Sequence, residues 1–345
     1  MGGHCGSGAL RDLMHWAGLG WGEPPSEGMV FALGGALDIA YARTGEMVPP
    51  IYLVGRGGDL EVDLPKRLGA TVSMHSTDDA DLGWTWVRDR IDDGQPVMVW
   101  GDIGELPYLR VRLQMSRHDI VIIGYDNDRR IAFVVDNDRE EVQEVPYDAL
   151  ARARASTSFP VPTRHTLYDI AWPAAVPPLQ EVAGEAFAQA AATMRGSSGS
   201  VIAAVDTGMV GARGLEAAQL FASDILTWRQ LFANDELHVV LLGLGAFIEK
   251  AGTGGGLFRR LLASGSAEIA EHLGSRDVNH LATAARNCAR AWTEVAHLAW
   301  SKDCSVDERW RDAGSAAQAL PGLESALADA LDAAALSLQR ARLSR

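Results

Sequence analysis

Three side chains in this sequence have the types and the spacing for nucleophilic chemistry: Cys5, His118 and Asp136. Cys5 stands among glycines, in Gly3-His-Cys-Gly-Ser-Gly8, just before a segment that reads as a helix. In that segment Leu10, Leu13, Met14 and Ala17 share one face, and Gly18 closes its end. At a helix N-terminus the backbone N–H groups and the dipole favour a thiolate over a thiol, and the thiolate is the nucleophilic form. His118 can take the thiol proton, and Asp136 can hold the imidazole in the matching tautomer. Each residue also has an ordinary reading: a small buried cysteine, a strand-end histidine, a turn-forming aspartate. The three together favour chemistry.

Local structure must bring them together. Asp119–Tyr125 and Arg130–Val135 are β-rich runs, and Asp126-Asn-Asp-Arg129 between them is turn chemistry. His118 opens the first strand of this hairpin and Asp136 closes the second, so antiparallel pairing sets the two ends side by side. Around it, short strands are expected over 51–54, 71–75 and 95–100, with one helix that starts at Asp59 or Asp63 and ends at Gly69 and another over 82–91. A further helix is expected to start at Ser26 and run to Ala42, carrying Met29, Leu33, Leu37 and Tyr41 on one face. From about residue 180 the chain is rich in Ala, Leu, Arg and Glu with almost no strand signal. The proline-rich stretch Ala171–Pro178 separates the two textures. The expected domains are 1–172 and 173–345, an α+β first half and a mostly α-helical second. Arg195-Gly-Ser-Ser-Gly-Ser200 reads as a short connection or turn.

Composition narrows the function. The net charge of −14 leaves nothing to neutralise a row of phosphates and no polybasic anchor, so neither nucleic acid nor membrane is an expected partner. The longest apolar run, His238–Ile248, falls well short of the roughly 20 residues that span a bilayer. Three scattered cysteines form no disulfide framework and no metal spacing, and the N-terminus has no secretory pattern. The expectation is a cytoplasmic protein with free thiols. Arg56, Asp102 and Tyr108, at predicted strand ends or loops, are candidates to line a substrate cleft. His4 is poorly placed as a base for its neighbour Cys5, and Glu27 reads chiefly as a favourable first-turn charge. Gly252-Thr-Gly-Gly-Gly256, before Arg259 and Arg260, could hold a phosphate on free N–H groups, though a tight helix–helix turn is the simpler reading.

The first half resembles the butirosin-biosynthesis protein H N-terminal family, papain-like in fold and related to the peptidases that trim double-glycine leaders. The likeness runs through Gly3–Leu10, Ser26-Glu-Gly-Met-Val-Phe-Ala-Leu-Gly-Gly35, Pro50 with Gly55-Arg56, Leu64-Pro-Lys-Arg-Leu-Gly69, Leu106-Pro-Tyr108 and His118–Asp126. The second half looks like the helical domain that often follows, through Phe247–Arg259. The resemblance implies a cysteine-peptidase-type domain with Cys5 as nucleophile, His118 as base and Asp136 as orienter. It implies acyl transfer from the phosphopantetheine thioester of an acyl carrier protein, or a related acyl thioester donor, to the amine of a small molecule. No cofactor is implied, phosphopantetheine entering only as part of the donor. Papain-like enzymes carry an oxyanion-hole Gln a few residues before the cysteine. None of the four residues preceding Cys5 is Gln, so the donors are backbone N–H groups near Cys5, lie elsewhere, or belong to residues ahead of Met1. A hydrolase with the same triad and a non-catalytic binding protein of a biosynthetic complex are the competing expectations. A homodimer is expected on general grounds. A basic patch around Arg110, Arg112 and Arg117 would be needed to receive an acidic carrier.

Overall fold

The structure, a computed structural model, describes residues 3–45, 47–137, 139–196 and 210–343. In chain order the elements are α1 (Cys5–Trp16), α2 (Glu27–Gly34), β1 (Leu37–Arg43), β2 (Ile51–Arg56), α3 (Leu60–Arg67), β3 (Thr71–His75), α4 (Ala80–Asp92), β4 (Val97–Gly101), β5 (His118–Asp126), β6 (Ile131–Val135), β7 (Gln143–Pro146), α5 (Tyr147–Arg154) and β8 (Leu167–Ala171). They continue with α6 (Leu179–Arg195), β9 (Val210–Arg213), α7 (Gly214–Asp224), α8 (Trp228–Leu231), α9 (Asn234–Glu249), α10 (Arg259–Leu273), α11 (Arg276–Trp300), α12 (Val306–Ala317) and α13 (Leu320–Leu343). The fold is α+β. The chain forms two compact units, one of residues 1–27 and 64–177, the other of residues 28–63 and 178–345. The chain thus changes unit at Pro177/Pro178. Residues 28–63, which the sequence reading grouped with the first half, fold in the second unit.

The first unit is built on a six-stranded antiparallel sheet in the order β3-β8-β4-β5-β6-β7. Alternation divides its two faces. Val97, Val99, Ile120, Ile122, Ala132 and Val134 form one core with Val87 of α4 and Ala149, Leu150 and Ala153 of α5. Met98, Val121 and Tyr168 have the opposite parity and are also buried. Helix α1 packs against β5 and buries Leu10, Leu13 and Met14. Trp84 and Trp86 are both partly buried, against Tyr125 and Tyr147 and against His75 respectively.

In the second unit a three-stranded antiparallel sheet, β2-β1-β9, accompanies the helices. The helix expected over 26–42 ends at Gly34, and Leu37–Arg43 is the central strand of this sheet. Two features decide this. Gly34-Gly35 breaks the helix, with Gly35 in the left-handed region at φ 67°. Strand pairing on both edges then outweighs the helical spacing of Leu37 and Tyr41. The segment Ser197–Ser200 of the expected Gly-Ser connection lies outside the described residues.

Candidate active site

Cys5 is the first residue of α1, and the helix start is held by its neighbours rather than by a conventional cap. His4 is the N-cap: buried, its Nδ1 accepts from the Ser7 N–H at 3.1 Å. That bond removes His4 as a base for Cys5. Behind it, the Glu27 carboxylate accepts from Gly3 N–H at 2.8 and 2.9 Å, from His4 N–H at 2.6 Å and from the Ser7 hydroxyl at 3.1 Å. Glu27 is therefore far more than a first-turn charge. It fixes the segment on which Cys5 stands. It also occupies the N–H groups of Gly3 and His4, so neither is available to an oxyanion.

Opposite, His118 opens β5. Its Nε2 lies 2.7 Å from Asp136 Oδ2, and Cys5 is hydrogen-bonded to the same imidazole. With Asp136 on Nε2, the nitrogen left for the sulfur is Nδ1. The Tyr108 hydroxyl donates to Asp136 Oδ2 at 2.6 Å, so this carboxylate oxygen receives two hydrogen bonds. Burial by itself disfavours the imidazolium. The bonds and charges of Asp136 and Cys5 outweigh that and hold the His118 pKa well above the ordinary histidine value. By reciprocity the imidazolium favours the thiolate. Cys5, His118 and Asp136 thus stand as a connected array in the first unit.

Two features of the elements make the array possible. The first is a β-bulge between Ile122 and Gly124 on β5. From the turn the strands pair as Asp126↔Ile131 and Gly124↔Phe133; past the bulge they pair as Ile122↔Val134 and Val121↔Val135. One step further sets Asp136 opposite Ile120, on His118's side of the sheet. Without the extra residue Asp136 would oppose Val121, on the other side. The second is Gly8. A Cβ there would lie 2.3 Å from the Asn137 Cβ, so α1 approaches the strand end carrying Asp136 only because residue 8 has no side chain.

The other candidates are placed differently. Tyr108 reaches the array, but its hydroxyl faces Asp136. Asp102 is fully buried, and its carboxylate accepts from Gly104 N–H, Met115 N–H and the Ser156 hydroxyl at 2.9, 3.0 and 2.5 Å. Burial pushes its pKa up, and these bonds reverse that and hold it low. Asp102 ties loops together and does not face a ligand. Arg56 belongs to the second unit, where it pairs with buried Glu61 at 3.4 Å. The glycine-rich segment at 252–256 is a turn. Gly255 N–H donates to Thr253 Oγ1 and Gly256 N–H to Glu249 Oε1, an acid where a phosphate would need a donor. Arg259 is fully buried against Glu324. Cys288 is buried, and burial with the Glu324 charge pushes its thiol well up, which leaves it unreactive. Among the described residues no cluster of His, Cys, Asp or Glu is placed to hold a metal ion, and no helix is long and apolar enough to cross a membrane.

Sequence profiles of known families match both halves. The profile described as "Domain of unknown function (DUF4872)" matches residues 148–331, more than half of the chain. The chain belongs to the DUF4872 family. Ahead of that domain, residues 4–137 match "Butirosin biosynthesis protein H, N-terminal". This order, a butirosin-type N-terminal domain followed by a helical domain of unknown function, is the arrangement that the resemblance implies. No curated protein matches the chain closely. Cys5, His118 and Asp136 all lie inside the N-terminal match.

Proposed function

We propose that the protein is a cysteine-dependent acyltransferase of specialised metabolism, moving an acyl group from a carrier-protein or pantetheine thioester to the amine of a small molecule. The observation that carries this is the Cys5–His118–Asp136 array, with the sulfur at a helix start and bonded to an imidazole that a buried carboxylate orients. In the first step the Cys5 sulfur attacks the thioester carbon. The donor's C–S bond breaks, and its thiolate takes the proton held by His118. In the second step the acceptor amine attacks the acyl-Cys5 carbon, its proton passes to His118, and Cys5 leaves as the thiolate. The match to a butirosin biosynthesis domain supports a biosynthetic reaction over protein trimming.

The loop between Tyr108 and His118 suits an acidic donor. Residues 109–117 contain three arginines and no acid. Arg110 and Arg112 are exposed beside Val111 and Leu113, which are 42% and 64% exposed. Arg117 instead stacks on the Trp100 ring, 5.2 Å from its centroid. In a chain of charge −14, this loop is where an acidic carrier would be received. Reversing Arg110 and Arg112 to Glu is expected to raise KM for a carrier-borne donor far more than for free acyl-pantetheine. Equal effects on both donors would remove the loop from docking.

The deciding experiment is intact-protein mass spectrometry after incubation with an acyl-pantetheine thioester, comparing wild type with Cys5→Ala. An acyl adduct on wild type alone, discharged faster by amines than by water, is the expected result. Faster discharge by water would make the protein a hydrolase with the same residues. No adduct, with Cys5 inert to iodoacetamide at neutral pH, would leave a binding protein.

A further inference from the structure

Cys5 has a second acidic neighbour for which the two-step scheme has no use. Asp119 follows His118 on β5 and shares Val121's side of the strand, the side of opposite parity to the Ile120 core. It is 1% exposed, and its Oδ2 accepts from the Cys5 thiol at 3.7 Å. The sulfur therefore meets an imidazole that draws its proton away and a carboxylate that holds the proton on.

We infer that Asp119 is a positioning residue that raises the energy of the Cys5 thiolate, so that the sulfur keeps an acyl group once it has taken one. The inference rests on the acyl-transfer reading for its purpose, though not for its test. The surroundings carry its sign. On Cys5's own helix stand His4 and Ser7, with the Glu27 carboxylate behind them. From β5 come His118 and Asp119, and beyond His118 lie Asp136 and the Tyr108 hydroxyl. Arg117 is engaged over Trp100, and Arg139 over the Tyr108 ring with a bond to the Tyr108 carbonyl at 2.8 Å. The imidazolium is a cation beside the sulfur, and Asp119 is an anion in direct contact with it. A like charge at this separation, away from bulk water, opposes ionisation of the sulfur and is little screened by salt.

The chemical consequence is selective. In acyl-Cys5 the sulfur is neutral, so Asp119 does not oppose the thioester. It opposes only the thiolate that forms when the S–acyl bond breaks. A more basic thiolate is the better nucleophile once formed and the poorer leaving group. Exchange with a donor thiol that has no such neighbour then runs toward the acyl-enzyme. Loss of the acyl group to water is slowed, and the intermediate lasts until an amine arrives.

The test is the pH dependence of Cys5 alkylation by iodoacetamide on the full chain, with the modified peptide located by mass spectrometry to exclude Cys304. Asp119→Asn is expected to move the midpoint down by about one pH unit, giving roughly tenfold faster alkylation on the acid limb. Asp119→Ser, a smaller neutral side chain, should shift it the same way and serves if the Asn variant does not fold. An unmoved or raised midpoint in a folded variant would overturn the inference. Alkylation needs no acyl donor, so this outcome is independent of whether an acyl adduct ever forms. Where an adduct does form, its lifetime in water should shorten several-fold in the variant, and an unchanged lifetime would count against the role.

Discussion

At the scale of single residues, the site is a balance of charges around one sulfur. His118 carries a folded-state pKa above the ordinary value of about 6.5, because Asp136 and Cys5 hold its cation. A group raised in this way contributes stability that is complete below about pH 6.5 and is lost as the pH climbs through the folded value. Asp136→Asn should therefore flatten the fall of the melting midpoint on the alkaline side of 6.5. It should also cost about 1–3 kcal/mol at neutral pH, since a buried ionic hydrogen bond is lost. Calorimetry from neutral to alkaline pH would show it, and parallel curves for the two proteins would mean that Asp136 does not hold the charge. Glu27 makes a second case. Glu27→Ala removes the acceptor for Gly3, His4 and Ser7 and should lower both the melting midpoint and Cys5 alkylation, although Glu27 does not touch the reacting atoms. If alkylation were unchanged, the helix start would not depend on Glu27. That Cys5, His118 and Asp136 are brought together was legible in the sequence, because a helix start and one hairpin suffice to place them. Glu27 and Asp119 were not, because a carboxylate's role depends on which N–H or S–H it meets, and those partners are distant in the chain. The Asp102 carboxylate is engaged by Ser156 and Arg56 by Glu61, contacts that their predicted strand-end or loop positions do not show.

At the scale of elements, register decides the chemistry. The hairpin was readable from its alternation and its Asp-Asn-Asp-Arg turn. The bulge was not, since nothing in Ile122-Ile123-Gly124 marks which residue the partner strand will skip. Deleting Ile123 should restore an unbroken ladder and carry Asp136 to the wrong side of the sheet. Such a variant should keep its strand content by circular dichroism and lose the enhanced alkylation of Cys5. Full retention of reactivity would show that Asp136 does not need His118's face. Gly8→Ala probes the other approach. Its Cβ must displace Asn137, at a cost of about 1–3 kcal/mol, with α1 moving off the strand end. A melting midpoint and an alkylation rate both equal to wild type would show that the close approach is not required. The strand at Leu37–Arg43 escaped the sequence reading because Leu37 and Tyr41 fit a helical face as well as a pleated one. The partners that settle the matter are β2, the next strand of the chain, and β9, which comes only after the whole sheet of the first unit.

At the scale of the whole molecule, sequence texture and folded units part company. The change from mixed to helical composition near 172 is real, yet the second unit takes back residues 28–63. A fragment of residues 1–172 would contain β1 and β2 without β9, leaving the edge of β1 that pairs with Val210–Arg213 open. Such a fragment should be insoluble or poorly folded beside the full chain, as size-exclusion chromatography and circular dichroism would reveal. A well-folded monomer would mean that residues 28–63 need nothing from the C-terminal half. The interleaving also bears on how such a protein can change over generations. Recombination at the seam between the two family matches, from 137 to 148, would hand the helical half a foreign version of its own central strand. The two halves are therefore obliged to descend together, each constraining the substitutions the other can accept.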